Sequence, residues 1–238
     1  MFRFKQFTIR QDRTAMKVCT DACVLGAFAD VHGSAILDIG TGTGLLALMV
    51  AQRNPTARVD AVELDDSALG QATENVANSP FADRIGVWHG AVQEYFPFHP
   101  FPLGEGYDRI LTNPPFYVNS LRSPDAATAR AHHADELPFA DLVTAVGRLL
   151  APGGQWWVLL PPVEMKKLTG LAAEVGLYQS ARLLLRHHAQ KPVFRIVTGF
   201  GWGSRTDVSE QTLNIYEMDG RTFTSAYRTL LQPFYLIF

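Results

Sequence analysis

The run Leu37-Asp38-Ile39-Gly40-Thr41-Gly42-Thr43-Gly44 constrains this chain more than any other. Ala35 to Ile39 reads as a buried strand, and Leu45 to Arg53 as a helix stopped by Asn54-Pro55. The glycines between them let the backbone turn sharply and approach a ligand with no Cβ in the way. Amides at the start of the helix then face a carboxylate or a phosphate. The next strand, Arg58 to Glu63, ends on an acid about twenty residues downstream that can accept hydrogen bonds from ribose hydroxyls.

The alternation continues along the chain. Asp65 to Asn78 reads as a helix capped by Asp65 or Asp66 and stopped by Ser79-Pro80. Ile85 to His89, Tyr107 to Thr112 and Gln155 to Leu160 read as strands, and Leu137 to Leu150 as a helix ended by Pro152-Gly153-Gly154. This spacing predicts an α/β fold: a doubly wound, Rossmann-like, mostly parallel sheet. Such sheets bind ligands beyond the carboxyl ends of their strands, here in the loops after Ile39, Glu63, His89 and Thr112. Residues 1 to 18 alternate through Phe2, Phe4, Phe7 and Ile9, as in a hairpin packed on the sheet edge. Asp21 to Ala29 and Phe223 to Leu231 read as helices, and Leu177 to Trp202 and Thr212 to Tyr216 as strand-like. No linker interrupts the 238 residues, so a single domain is expected.

Composition excludes several classes. The longest apolar stretch, around Trp156 to Leu160, is strand-sized, so no membrane span is expected. Arg3 and Lys5 interrupt the apolar N-terminus, which leaves no export signal and predicts a cytoplasmic location. Cys19 and Cys23 then read as two small residues on one helical face, with neither a disulfide nor a metal site expected. A net charge of −2 implies no global grip on nucleic acid. Basic residues nevertheless gather twice. Arg3, Lys5, Arg10, Arg13 and Lys17 outnumber Asp12. Arg182, Arg186, Lys191 and Arg195, with His187 and His188, include no acid. Each cluster is either a solvated face or a phosphate-contacting patch.

The glycine loop alone leaves a nicotinamide dinucleotide open, because Gly42-x-Gly44-x-x-Ala47 passes the loose dinucleotide pattern. Asp38 at the strand tip favours a ligand with a cationic amino group, such as the methionine part of S-adenosylmethionine. Asn113-Pro114-Pro115-Phe116, directly after the strand Tyr107 to Thr112, narrows the chemistry. The proline pair fixes φ and stiffens the loop. An exocyclic amine on an aromatic ring is a weak nucleophile, because its lone pair delocalises into the ring. The Asn113 side-chain oxygen and the Pro114 carbonyl can each accept one N–H, which favours a pyramidal nitrogen with a directed lone pair. Phe116 can stack on a flat base. No strong general base is needed, since the nitrogen becomes acidic once methylated. Positioning and preorganised acceptors supply the rate.

Several runs together resemble the bacterial tRNA adenine-N6 methyltransferase family. They are Lys5-Gln6-Phe7, Asp12-Arg13, Ala15-Met16-Lys17-Val18 and Thr20-Asp21, with LDIGTGTG at 37–44, AVEL at 61–64, NPPF at 113–116, and Tyr227 with Phe234-Tyr235-Leu236. The similarity spans nearly the whole chain. It is most family-specific in the N-terminal block. It implies a seven-stranded sheet with an antiparallel last strand, S-adenosylmethionine as methyl donor, and the adenosine 3′ of the anticodon of a valine tRNA as acceptor. By this resemblance Asp38, Gly40, Thr41, Gly42, Gly44, Glu63, Leu64, Ala91, Val92 and Asn113 hold the cofactor. Lys17, Thr20 and Asp21, within an extension of residues 1–30, cover it. Asn113, Pro114, Pro115 and Phe116 form the catalytic loop. Arg10, Arg13, Arg130, His132, Arg186, Lys191 and Arg195 are candidate RNA contacts. No metal is implied, and a monomer is expected. Cys19 and Cys23 depart from expected glycines, and Ala91 stands where such enzymes often place an acid.

Rival readings keep the methyl transfer but change the acceptor to a protein glutamine, a ribosomal-RNA guanine N2 or a DNA adenine. More distant ones are a nicotinamide-dependent oxidoreductase, for which no proton donor is identified by motif, and a non-catalytic binding module.

Overall fold

The structure, a computed structural model, describes residues 1–14, 16–95, 106–115, 138–203 and 207–238. An antiparallel pair, β1 (Phe2–Arg3) and β2 (Thr8–Ile9), precedes α1 (Thr20–Phe28). The alternating centre follows as β3 (Ala35–Ile39), α2 (Leu45–Arg53), β4 (Arg58–Glu63), α3 (Asp66–Ala77), β5 (Ile85–His89) and β6 (Tyr107–Thr112). Then come α4 (Phe139–Leu149), β7 (Leu150–Leu160), α5 (Pro162–Glu174), β8 (Leu177–Arg186), β9 (Val193–Trp202), β10 (Ser209–Asn214) and α6 (Ser225–Leu231).

Among the described residues, eight strands form the main sheet in the order β10-β8-β9-β7-β6-β3-β4-β5. Only β9 runs antiparallel to its neighbours, β7 and β8. The expected seven strands are therefore present, and β10 extends them by pairing parallel to β8. The strand order reverses at β3, which lies between β4 and β6, and this opens the crevice in which such sheets bind ligands.

Every residue of β3 is buried, because helices cover both sheet faces. The core forms two layers, and consecutive side chains of a strand enter opposite ones. Trp157 joins Leu46, Val50 and Leu159 in one layer, while Trp156 joins Leu37, Ile110 and Phe200 in the other. The side chain of Asp65 caps α3 by accepting from Ala68 N–H at 2.8 Å, and Thr224 caps α6.

Three features differ from the sequence expectation or add to it. Pro152-Gly153-Gly154 follows the end of α4 at Leu149 but lies within β7 rather than in a loop, where the register against β6 shifts between Tyr107 and Arg109. A Cβ on Gly154 would sit 2.8 Å from the Tyr107 carbonyl, so the close approach there requires glycine. Helix α5 begins with a proline, which has no amide to leave unpaired at that position, although strand–helix alternation left it unassigned. The N-terminal hairpin packs on the β5 side of the sheet, where Phe7 meets Phe81 edge-on at 6.4 Å, and is also bonded to the carboxyl-terminal segment. Phe4 bridges Tyr235, and Lys5 N–H donates to the Phe234 carbonyl at 2.8 Å.

Candidate functional site

The register sets the site. Ile39 of β3 lies opposite Val62 of β4 and Thr112 of β6, so the loops starting at Gly40 and Asn113 leave the sheet side by side, next to the end of β4 that carries Glu63. Gly40, Gly42 and Gly44 take φ of 68°, 58° and 81°, a region that disfavours a side chain. A Cβ at Gly40 or Gly42 would meet nothing within 4 Å, so both face open space that a ligand can approach. Gly40 and Thr41 N–H bond the Val62 carbonyl at 2.9 and 3.1 Å, which ties the loop to β4.

Asp38 is 1% exposed. Its Oδ2 accepts from the Thr41 hydroxyl at 2.5 Å and from Ala47 N–H at 3.1 Å. Its Oδ1 is buried and has no partner among the described residues. Burial pushes the carboxyl up to about 7, the Thr41 and Ala47 hydrogen bonds oppose that, and nearby Glu63 adds to it. A cationic donor at Oδ1 would reverse the burial effect, so Asp38 fits the amino group of an amino-acid ligand.

Glu63 is bound by its own surroundings. Gly42 N–H donates to Oε2 at 2.8 Å, and Leu64 and Asp65 N–H donate to Oε1 at 2.9 and 3.0 Å. A carboxylate has about four acceptor positions, so roughly one is left for an incoming hydroxyl. Leu64 is 50% exposed beside it, and its carbonyl contacts His89 Nε2 at 3.0 Å. The turn Ala91–Glu94 follows β5, with Val92 buried. Arg148 of α4 donates to the carbonyls of Val92, Gln93 and Tyr95 at 3.0, 3.1 and 3.0 Å, and so fixes that turn.

Asn113 begins the loop after β6, and its Oδ1 is a second buried oxygen without a partner among the described residues. The preceding Thr112 is locked by Trp156 Nε1, which donates to its hydroxyl at 3.1 Å. Pro114 is buried and Pro115 exposed. Phe116, Arg130 and His132 lie outside the described residues.

The other expected residues divide. Lys17 donates to the carbonyls of Gln11 and Thr14 at 2.5 and 3.2 Å, and Thr20 starts α1. Asp21, in the first turn of α1, pairs with Arg195 of β9 at 2.9 Å. Arg195 stands near the start of the antiparallel β9, next to Ile196, which lies opposite Leu160, hence on the same carboxyl edge as Asn113. Arg10 and Arg13 both pair with Glu74 of α3, at 2.8 and 2.7 Å, and Arg182 pairs with Glu210 of β10. Arg186 and Lys191 make no ion pair among the described residues.

Two residues absent from the sequence expectation bind the N-terminal arm to the site. Asn75, 2% exposed, accepts from Arg10 N–H at 2.8 Å and donates to the carbonyls of Arg10 at 2.8 Å and Thr43 at 2.9 Å. Gln71, one turn earlier on α3 and fully buried, accepts from Arg13 N–H at 3.2 Å. Polar residues four apart on the face shared with the small Ala68 and Ala72 are the signal that marks them.

Comparison with known proteins agrees with this geometry. The family model "methyltransferase small domain" matches residues 20–183. The chain is 50% identical over 243 residues to the tRNA1(Val) (adenine(37)-N6)-methyltransferase of Dyadobacter fermentans, covering 100% of this chain and 98% of that one. A protein of the same name from Pedobacter heparinus is 39% identical, again over 100% of this chain and 98% of its own. Among solved structures, a predicted O-methyltransferase of Agrobacterium tumefaciens has a TM-score of 0.68 at 20% identity, covering 90% of this chain and 96% of that one. A glycopeptide N-methyltransferase complexed with S-adenosylmethionine has a TM-score of 0.52 at 12% identity, covering 73% and 83%. These structures share the fold.

Proposed function

This chain belongs to the methyltransferase small domain family and to the family of the tRNA1(Val) (adenine(37)-N6)-methyltransferases, and from that premise we propose that it methylates the exocyclic N6 of an adenine in tRNA, the adenosine 3′ of the anticodon, with S-adenosylmethionine as donor. The observation that carries the reading is the pair of partnerless buried oxygens, Asp38 Oδ1 and Asn113 Oδ1, at the ends of adjacent strands.

The donor, when bound, supplies a methyl group on a sulfonium. Asp38 Oδ1 accepts from its amino group, and Gly40, Thr41, Gly42 and Gly44 line its approach. Glu63 takes one ribose hydroxyl on its remaining acceptor position. Leu64, Ala91 and Val92 border the adenine side, with Arg148 holding that turn. Asn113 Oδ1 accepts one N–H of the acceptor amine, and the Pro114 carbonyl a second. Together they hold the nitrogen with its lone pair directed, and face the positive charge that develops on it. Pro115 stiffens the start of the loop. The proton leaves to solvent after transfer. Residues 1–30 act as an extension over the donor, with Lys17, Thr20 and Asp21 nearest it, within a single domain of 238 residues. Arg186, Lys191 and Arg195 contact phosphates from the same edge of the sheet as Asn113. No helix among the described residues is long and apolar enough to cross a membrane; the tRNA substrate proposed here places the reaction in the cytoplasm.

The test incubates the purified chain with labelled S-adenosylmethionine and total tRNA from cells lacking the gene, then identifies the labelled nucleoside by mass. N6-methyladenosine in one tRNA is the expected outcome. Label only in ribosomal RNA or protein would move the acceptor and keep the chemistry.

A further inference from the structure

Strand β8 ends at Arg186, and the chain returns as β9 from Val193. This connection leaves the sheet on the same carboxyl edge as Asn113, with β7 and β9 standing between β6 and β8. Three strand spacings place the end of β8 roughly 14 Å along that edge from the end of β6. Here the exposed ring of His187 lies flat on the half-buried ring of Phe194, with 4.3 Å between centroids and 6° between planes.

The pair is held from behind. The His187 carbonyl accepts from Tyr216 N–H at 2.8 Å, and Phe194 packs against the core. The Arg195 guanidinium lies 5.7 Å from the centre of the Phe194 ring while paired with Asp21. Arg186, His188 and Lys191 flank the two rings in the chain, and no acid occurs in the sequence from Arg182 to Arg195. The result is a preorganised flat aromatic surface, exposed on its His187 side, with Arg195 over Phe194 and Arg186 and Lys191 close by in the chain. Bases of an unpaired loop stack on such surfaces while cations meet the phosphates between them. A peptide would match the charges only if acidic and would present no flat ring at regular spacing.

We propose that the His187–Phe194 stack is a landing platform for one unpaired nucleobase of the RNA substrate, a loop neighbour of the adenine that enters at Asn113. The separation from Asn113 fits a neighbour a few nucleotides away rather than the target base. The proposal rests on the RNA-methylating reading and adds to it the residue that selects an open loop over a duplex.

The experiment uses the full chain and an anticodon stem-loop RNA in which 2-aminopurine replaces one loop base at a time. The wild type is expected to quench the fluorophore at one position other than the target adenine. His187→Ala should abolish that quenching and raise KM for the RNA about tenfold or more. Its kcat should stay within about twofold, and donor affinity should not change. His187→Phe keeps a flat ring and should restore both quenching and KM. Unchanged quenching and KM in His187→Ala, with the wild type methylating the RNA, would overturn the platform and leave the methyl-transfer reading standing. Failure of His187→Phe to restore them would also overturn it, because the side chain would then act otherwise than as a flat surface. If the wild type labels protein but no RNA, both readings fall together.

Discussion

Strands β3 and β6 lie side by side, and each ends at a buried oxygen with no donor among the described residues. The two oxygens differ in charge and in support. Asp38 belongs to a carboxyl group whose other oxygen takes two hydrogen bonds, and burial still pushes it up to about 7. Asn113 carries a neutral carbonyl that does not titrate. A buried anion suits a partner that arrives already cationic. A neutral carbonyl suits an amine that arrives neutral and gains charge only during reaction. A carboxylate in the second position would attract protons before chemistry began; a carbonyl in the first would leave an ammonium half compensated.

That contrast breaks first, and by most, at Asn113. Asn113→Ala is expected to lower kcat by about 10²–10³ while donor affinity stays within about tenfold. Calorimetry beside single-turnover kinetics checks it, and an equal loss in both would erase the distinction between the two oxygens. Asp38→Asn comes next. It keeps an acceptor for Thr41 and Ala47 but turns an amide N–H₂ toward the position of Oδ1. Donor affinity should drop by about 10- to 100-fold, while the melting temperature of the free chain falls no lower than that of wild type.

A smaller effect follows from pH. In the free chain the Asp38 carboxyl is raised to about 7, so acid protonates it and an ammonium partner then loses its anion. Donor affinity should therefore be full above about pH 7 and decline below it by at most about tenfold per unit. Asp38→Asn should be flat across the same range. The smallest effect sharpens a different boundary. Glu74→Gln removes the ion-pair partner of Arg10 and Arg13, which are 60% and 53% exposed, and should cost under about 1 kcal/mol in thermal unfolding. Asn75→Ala, which strips one buried and two part-buried hydrogen bonds, should cost about 1–3 kcal/mol.

The strands around the glycine loop were legible because their signals are local. Apolar runs and stop residues define β3, α2, β4, β5 and β6 to the residue. What escaped depends on distant partners. Arg10 and Arg13 read as half of a basic patch, because Glu74 lies more than sixty residues away in sequence. Arg148 looks like any surface arginine of a helix until the turn at Val92 is folded against it. Pro152-Gly153-Gly154 signals a break, yet its glycine serves a close approach to Tyr107 that only the neighbouring strand reveals. Within the candidate site, Asp38, Glu63 and Asn113 stood out as acids or amides at strand tips, a position the alternation pattern defines. Gln71 and Asn75 did not, because a polar residue inside a helix ordinarily faces water.

The contacts of the first residues set a timetable for synthesis. Arg10 closes onto Asn75, 65 positions later, and Lys5 closes onto Gln232, 227 positions later. At roughly 5–20 residues per second of translation, Lys5 waits about 10–45 s for the segment it docks against. The arm is therefore expected to close in two stages: its Arg10 side can dock once α3 has been made, and its Lys5 side only after residue 232 has emerged.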